Sequence, residues 1–62
     1  MIHYKTEEKF DVIDICKAYD LNFNRGNVIK YICRAGKKED ELLDMLKAKD
    51  YLEREIEYFR KK

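Results

Sequence analysis

The segment DELLDMLKAKDYLEREIEYFRKK, residues 40 to 62, decides the fold of this chain. At about 100° per residue, most of its apolar side chains fall on one arc of a helix. They are Leu42, Met45, Ala48, Leu52, Ile56 and Phe59. Acidic residues lie at the start of the segment and basic residues at its end, which suits the helix macrodipole. The segment therefore predicts a long helix from about Asp40 to near the C-terminus, with its apolar arc facing the core.

Two features of this helix do not fit a plain core. Lys49 falls inside the apolar arc, so either its stem packs while its ammonium group reaches water, or it points into a ligand site against the preceding helix. Tyr51 and Tyr58 form a second line on the helix, with Leu43 to one side. This line predicts either an interface between subunits or a solvated pair of tyrosines.

Two shorter helices are predicted upstream, separated by the connector DLNFNR. The first covers about Phe10–Tyr19, where apolar residues recur on one face. The second begins near Arg25, with Asn24 as its N-cap. It ends where Gly36 can adopt the left-handed conformation that closes many helices.

Composition bounds the rest of the fold. The chain has 62 residues, 44% of them charged, and no proline. This predicts a single all-α domain, 1–62, in which a short N-terminal arm, residues 1 to 9, precedes three helices, the last one long. The arm is either extended or a short strand. A chain this short has a marginal core, so assembly into a homo-oligomer is the expected source of further stability.

The same sequence indicates a soluble chain. Cys16 and Cys33 are expected to be reduced thiols, because no secretory segment precedes them. No apolar run reaches the ~20 residues that a membrane span needs, so no membrane partner is expected. The expected location is the cytoplasm.

Positive charge is concentrated in the middle of the chain. The whole chain has 14 bases and 13 acids, yet no acid occurs from residue 21 to residue 38. One side of the predicted second helix is apolar and is expected to face the core. Its residues are Val28, Ile29, Ile32, Cys33 and Ala35. The other side carries Asn27, Lys30, Tyr31 and Arg34, and Lys37 and Lys38 follow it. A side without carboxylates predicts an anionic ligand, although a solvated polar face is the alternative.

The N-terminus of the predicted second helix is the expected position of that ligand. With Asn24 as the cap, the backbone N–H groups of Arg25, Gly26 and Asn27 would point at a bound phosphate. Gly26 would allow close approach, or would simply be a turn residue. Arg34 and Lys30 would then bind phosphate. Tyr31 would stack on a base, or would lie exposed or in an interface.

Three motifs resemble a known family. They are HYK near the start, GNVIKYICRAGKK in the middle and DMLKAKDYLEREI near the end. Together they are similar to small phage-encoded proteins that form a domain family of unknown function, often labelled nucleotide kinase. The resemblance places the family pattern on His3, Tyr4, Gly26, Asn27, Lys30, Tyr31, Arg34, Lys47, Ala48, Tyr51 and Leu52. It implies nucleotide recognition inside an infected bacterial host.

The preferred function is binding or sequestration of a nucleotide or a nucleotide second messenger, with a counter-defence role. The alternatives are a nucleoside monophosphate kinase or a Mg²⁺-dependent nucleotide pyrophosphatase acting as an oligomer, and then a nucleic-acid-binding module. The chain lacks a Gly-x-x-x-x-Gly-Lys-Ser/Thr phosphate loop, so whether it is an enzyme stays open, and Mg²⁺ is expected only for an enzyme.

No metal site and no catalytic residue is assigned from the sequence. His3 is the only histidine, so a zinc site within one chain is poorly supported. His3 is either a surface residue or a base in an arm that folds over the ligand. The expected ligand-binding residues are His3, Tyr4, Arg25, Gly26, Asn27, Lys30, Tyr31, Arg34, Lys37, Lys38 and Lys49.

Overall fold

A computed structural model describes residues 10–37 and 40–62. This part of the chain contains three helices and no strand: α1 is Val12–Tyr19, α2 is Phe23–Arg34 and α3 is Glu41–Lys61. The prediction of three helices, the last one long, is confirmed. The predicted arm, with His3 and Tyr4, lies outside the described residues, and so does Lys38.

Helix α1 begins two residues later than predicted because Asp11 caps it. The Asp11 carboxylate accepts the backbone N–H of Asp14 at 3.2 Å, and the Asp14 carboxylate accepts the N–H of Asp11 at 2.9 Å. This reciprocal pair is a capping box, which satisfies donors that a helix start leaves free. The helix ends at Tyr19, and the C-cap residue Asp20 adopts the left-handed conformation with φ 55°.

Helix α2 begins earlier than predicted, so much of the expected connector is helical. The N-cap is Asn22 and not Asn24, because Asn22 has extended backbone geometry and its side-chain oxygen accepts the N–H of Arg25 at 2.9 Å. Asn24 lies within the first turn, and its amide bonds to α3 instead. The predicted end is confirmed, since Gly36 has φ +88°.

Helix α3 packs antiparallel to α2 through a largely polar face. The start of α2 contacts Glu55, and its end contacts Asp44. On α3 these two residues lie on one face with Ala48 between them, and all three are buried, at 6%, 2% and 3% exposure. The two carboxylates are about 16 Å apart along the helix axis, which matches the length of α2.

The predicted core of α3 is wrong except at Ala48. The other members of the apolar arc are exposed: Leu42, Met45, Leu52, Ile56 and Phe59. On α2, Ile32 and Cys33 were expected to be core and are exposed as well. The physical reason is that the donors of α2 face α3 and need carboxylates as partners. The face of α3 that carries Asp44 and Glu55 is therefore buried in place of the apolar arc.

Helix α1 packs against α2, and among the described elements it does not pack against α3. The contact depends on Gly26, since a Cβ atom at that position would lie 3.1 Å from the Cys16 sulfur. Gly26 thus has a packing role where the sequence predicted close approach of a phosphate. None of the three helices is long and apolar enough to cross a membrane.

Candidate functional site

Two stacked tyrosines lie at the centre of the α2–α3 contact. The rings of Tyr31 and Tyr51 are 6.0 Å apart between centroids and nearly parallel, at 12°. Phe23 meets Tyr51 edge to face at 5.9 Å. Such aromatic pairs stabilise a contact beyond the area that they bury. One face of Tyr31 is therefore already covered, which leaves less room for the base stacking that the sequence predicted.

Three cationic groups converge on the Tyr31 ring. The Lys30 Nζ atom lies 5.0 Å from the ring centroid, and the Arg34 Cζ and Lys47 Nζ atoms each lie 5.4 Å from it. We call Lys30, Tyr31, Arg34, Lys47 and Tyr51 the Tyr31 cluster. Each cation gains a modest attraction from the ring, but the three charges also repel one another.

One carboxylate enters this cluster. Arg34 Nη2 lies 3.2 Å from Asp44 Oδ1, and Arg34 Nε donates to Asp44 Oδ2 at 3.3 Å. The side chain of Asp44 is only 3% exposed. The acid-free segment of the sequence is therefore not free of acids in space, because α3 supplies Asp44 to Arg34 and Glu55 to Arg25. A guanidinium group has five N–H donors, so three remain for a ligand.

The Lys30 and Lys47 ammonium groups make no ion pair with any carboxylate of residues 10–37 and 40–62. With one acid against three bases, the Tyr31 cluster keeps a net positive charge.

At the start of α2, where the sequence predicted a phosphate site, the side-chain donors already bind a carboxylate of α3. The Glu55 carboxylate accepts hydrogen bonds there from Asn22 Nδ2 at 2.9 Å, Asn24 Nδ2 at 3.1 Å and Arg25 Nε at 3.0 Å. The backbone N–H of Arg25 donates to Asn22 Oδ1, and that of Gly26 donates to the Asn22 carbonyl. An anion is favoured at a helix N-terminus, and here that anion is Glu55.

These contacts lower the pKa of Glu55 below its ordinary value of 4.5. The largest cause is the hydrogen bond from Asn22, followed by that from Asn24, while burial acts in the opposite direction and Arg25 adds attraction. Because the folded-state pKa is depressed, the ionised carboxylate stabilises the fold above pH 4.5. That contribution is lost as the pH falls through the folded-state value.

We therefore expect Glu55→Gln to lower the Tm at pH 7, because a neutral amide offers one acceptor oxygen to three donors. The difference between variant and unmodified protein should shrink below pH 4.5, as thermal melts across pH would show. Glu57→Gln is the control, since Glu57 is exposed on the same helix. A gap in Tm that stays constant from pH 7 to pH 3 would contradict the assigned role of Glu55.

The remaining expected ligand residues that the structure describes have local partners. Lys37 Nζ donates to the Cys33 carbonyl at 3.2 Å, near the end of α2, and Asn27 Nδ2 donates to the Phe23 carbonyl at 2.9 Å. Lys49 lies about 200° around α3 from Lys47 and reaches Glu53 at 4.0 Å. It therefore does not join the Tyr31 cluster.

Two members of the cluster were not assigned to the site from the sequence. Lys47 and Tyr51 were noted only as family positions or as a possible subunit interface. Their i, i+4 spacing places them next to each other on α3, and this was the available signal.

An open groove adjoins the cluster between α1 and α2. Its volume is about 320 Å³, and it is lined mainly by Val12, Cys16, Leu21, Phe23, Gly26 and Lys30. Small-molecule sites usually have volumes of ~300 to 1,000 Å³, with apolar walls and a few polar groups. Lys30 lines the groove and also lies beside the Tyr31 ring, so it connects the two features.

Within the described residues, no group of three histidine, cysteine, aspartate or glutamate side chains is placed to hold a metal ion.

Comparison with known proteins gives one match. A family model described as a protein of unknown function, DUF3310, matches residues 2–53. No curated protein and no solved structure matches the chain. The matched range contains the whole Tyr31 cluster and ends within α3.

Proposed function

We propose that this chain, which belongs to the DUF3310 family of proteins of unknown function, binds a nucleotide at the Tyr31 cluster. The observation that carries the proposal is the convergence of Lys30, Arg34 and Lys47 on one aromatic ring. In the free protein the three cations repel one another, which destabilises this arrangement. A bound phosphate group would relieve this repulsion, because phosphate is an anion with several acceptor oxygens.

The three cations have complementary roles in this proposal. Asp44 fixes the plane of the Arg34 guanidinium by two-point contact, so its remaining N–H groups face the ligand with little loss of entropy. The ammonium groups of Lys30 and Lys47 are compact charges that can follow different phosphate positions. They come from α2 and α3, so a bound phosphate would also join these two helices.

The base and sugar would occupy the groove between α1 and α2. Its walls include Val12, Leu21 and Phe23, which suit an apolar ring, and Lys30, which also lines it, would hold the phosphate. Tyr31 then serves mainly to hold the cations, because Tyr51 already covers one of its faces.

Binding without chemistry is the function that these features support best. Phosphoryl transfer and metal-assisted hydrolysis require placed Mg²⁺ ligands, and the described residues offer no group of three acidic side chains for them. The family resemblance to phage proteins extends the proposal to sequestration of a nucleotide messenger of the infected host. The test must therefore distinguish binding alone from a kinase or pyrophosphatase activity.

The test is a thermal-shift and calorimetric titration of the full chain with mono-, tri- and cyclic nucleotides, with and without Mg²⁺ and ATP. We expect one nucleotide to raise the Tm, and the matching nucleoside to have no effect because it lacks the phosphate. An equal response to nucleoside and nucleotide, or no response to any nucleotide, would contradict the proposal. Product formation would indicate an enzyme, and tight salt-sensitive binding of duplex DNA alone would indicate a nucleic-acid module.

A further inference from the structure

The fold leaves one long apolar surface of α3 uncovered. We define the α3 stripe as Leu42, Met45, Leu52, Ile56 and Phe59, whose exposed fractions range from 42% to 61%. Within the described residues, Ala48 is the only buried apolar residue. Chains of this size with so little core of their own are commonly stabilised by oligomerisation.

The spacing of the stripe is that of a coiled coil. Together with Lys49, its members lie alternately three and four residues apart over three heptads, which are the a and d positions of a helix that packs against a second helix. Helix α2 covers the adjacent g positions Ala48 and Glu55, and leaves the a, d and e positions open. We propose that a second copy of this chain packs its α3 antiparallel along the stripe.

Charge and side-chain size select the antiparallel orientation. In that orientation Leu42 lies opposite Phe59 of the second copy, and Met45 lies opposite Ile56, so every a residue meets a d residue. The acidic start of α3 also meets the basic end, and Glu41 lies on the same edge as Lys62 of the second copy, since both are g positions. A parallel pair would place acid beside acid and base beside base, and would align the two helix dipoles unfavourably.

Lys49 fits this arrangement as the one charged residue of the a and d series. It is 66% exposed and lies 4.0 Å from Glu53 of its own helix. In the antiparallel pair both residues lie near the two-fold axis, so Glu53 of the second copy comes within reach of the same ammonium group. A single lysine at an a position fixes the register of a coiled coil, because other registers would bury its charge without a partner.

The first test is the mass of the full chain in solution. Light scattering should give about twice the 7.6 kDa of one chain or a higher even multiple, and Leu52→Lys should shift the mass downwards. Leu43→Lys is the matched control, because Leu43 is 45% exposed, close to the 47% of Leu52, and lies on the opposite side of α3. A mass of 7.6 kDa for the unmodified chain would overturn the proposal. That is the mass expected if residues 1 to 9 of the same chain, or an unrelated protein, covered the stripe. Dissociation by Leu43→Lys alone would also overturn the proposal.

The second test keeps the orientation falsifiable even if Leu52→Lys unfolds the chain. In a background of Cys16→Ser and Cys33→Ser, chains with Leu42→Cys and chains with Phe59→Cys are mixed and oxidised. The mixed disulfide should form, while Leu42→Cys alone should stay uncrosslinked, because its two copies lie about 26 Å apart in an antiparallel pair. A disulfide between two Leu42→Cys chains would indicate a parallel pair and overturn the orientation. Both tests are independent of nucleotide binding.

Discussion

Arg34→Ala is expected to lower the free energy of unfolding by about 3 kcal/mol, because it leaves the buried Asp44 carboxylate without its partner. The loss is large for this chain, since a domain of 62 residues has a total stability of roughly 3 to 9 kcal/mol. Chemical denaturation followed by circular dichroism measures the effect. Loss of the contact would free the end of α2 from α3, so the variant should also lose helicity at ordinary temperature.

Arg54→Ala is the matched control for this prediction. Arg54 pairs with Asp50 at 4.0 Å, but both side chains are about two-thirds exposed, so the cost should be below about 0.5 kcal/mol. The double variant Arg34→Ala with Asp44→Ala should be more stable than Arg34→Ala alone, since it removes the stranded charge. Equal losses for Arg34→Ala and Arg54→Ala would contradict the role assigned to the buried pair.

This prediction changes how Arg34 can be used to test ligand binding. From the sequence alone, Arg34 is expected to bind the phosphate of a ligand. In the structure the same guanidinium also holds α2 to α3 through Asp44, so a lost affinity in Arg34→Ala would have two causes. Lys30 and Lys47 are the better positions for that test, because the structure gives neither of them a carboxylate partner within the described residues.

The positions of the helices could be predicted from the sequence, because the signals for them are local. Gly36 ends α2 in the left-handed conformation, as expected from its place after the apolar segment. Asp40 caps α3, and its carboxylate accepts the N–H of Leu43 at 3.1 Å. Asn22 and Asn24 are both good N-caps by residue type, so the sequence could not choose between them. In the structure the Asn22 side-chain oxygen caps the helix, while the Asn24 amide binds Glu55, 31 residues away.

The buried face of α3 could not be predicted from periodicity, because that method assumes that a single chain covers its own apolar arc. Here α2 presents Asn24, Tyr31 and Arg34, and these side chains require hydrogen-bond acceptors and an aromatic partner. The face with Asp44 and Glu55 supplies the acceptors, and Tyr51 supplies the aromatic partner. A comparison of the polar faces of the two helices would have identified the contact. The donors Asn24 and Arg34 on α2 are separated along the helix axis by about the same distance as the acceptors Glu55 and Asp44 on α3.

The candidate site was predicted in part for the same reason. Lys30, Tyr31 and Arg34 were identified because their i, i+3 and i+4 spacings are local to one helix. Lys47 and Tyr51 complete the cluster from α3, and their place depends on the antiparallel packing of two helices that the sequence pattern did not specify. The excess of bases in the middle of the chain indicated this region, although two of its charges are neutralised in space, Arg25 by Glu55 and Arg34 by Asp44.

Removing the two lysine charges is expected to abolish nucleotide binding without loss of fold. Lys30→Met and Lys47→Met keep most of each aliphatic stem but remove the ammonium group. A hydrogen bond to a charged group contributes about 1.5 to 3 kcal/mol, so each variant should weaken binding roughly tenfold to a hundredfold. The double variant should weaken it by more than about a hundredfold. Isothermal titration with the nucleotide found in the panel measures these losses.

The stability of the ligand-free variants separates a binding role from a structural one. If Lys30 and Lys47 are held together for a phosphate, removing either charge relieves repulsion, and the Tm of the free protein should stay the same or rise. If they serve only as cation–π partners of Tyr31, each removal should lower the Tm, with a cost of about 0.5 to 1 kcal/mol. Lys61→Met, at the far end of α3, is the control and should leave both affinity and Tm unchanged. A double variant that melts earlier yet binds the nucleotide as before would show that the cations stabilise the helix pair and that the ligand lies elsewhere.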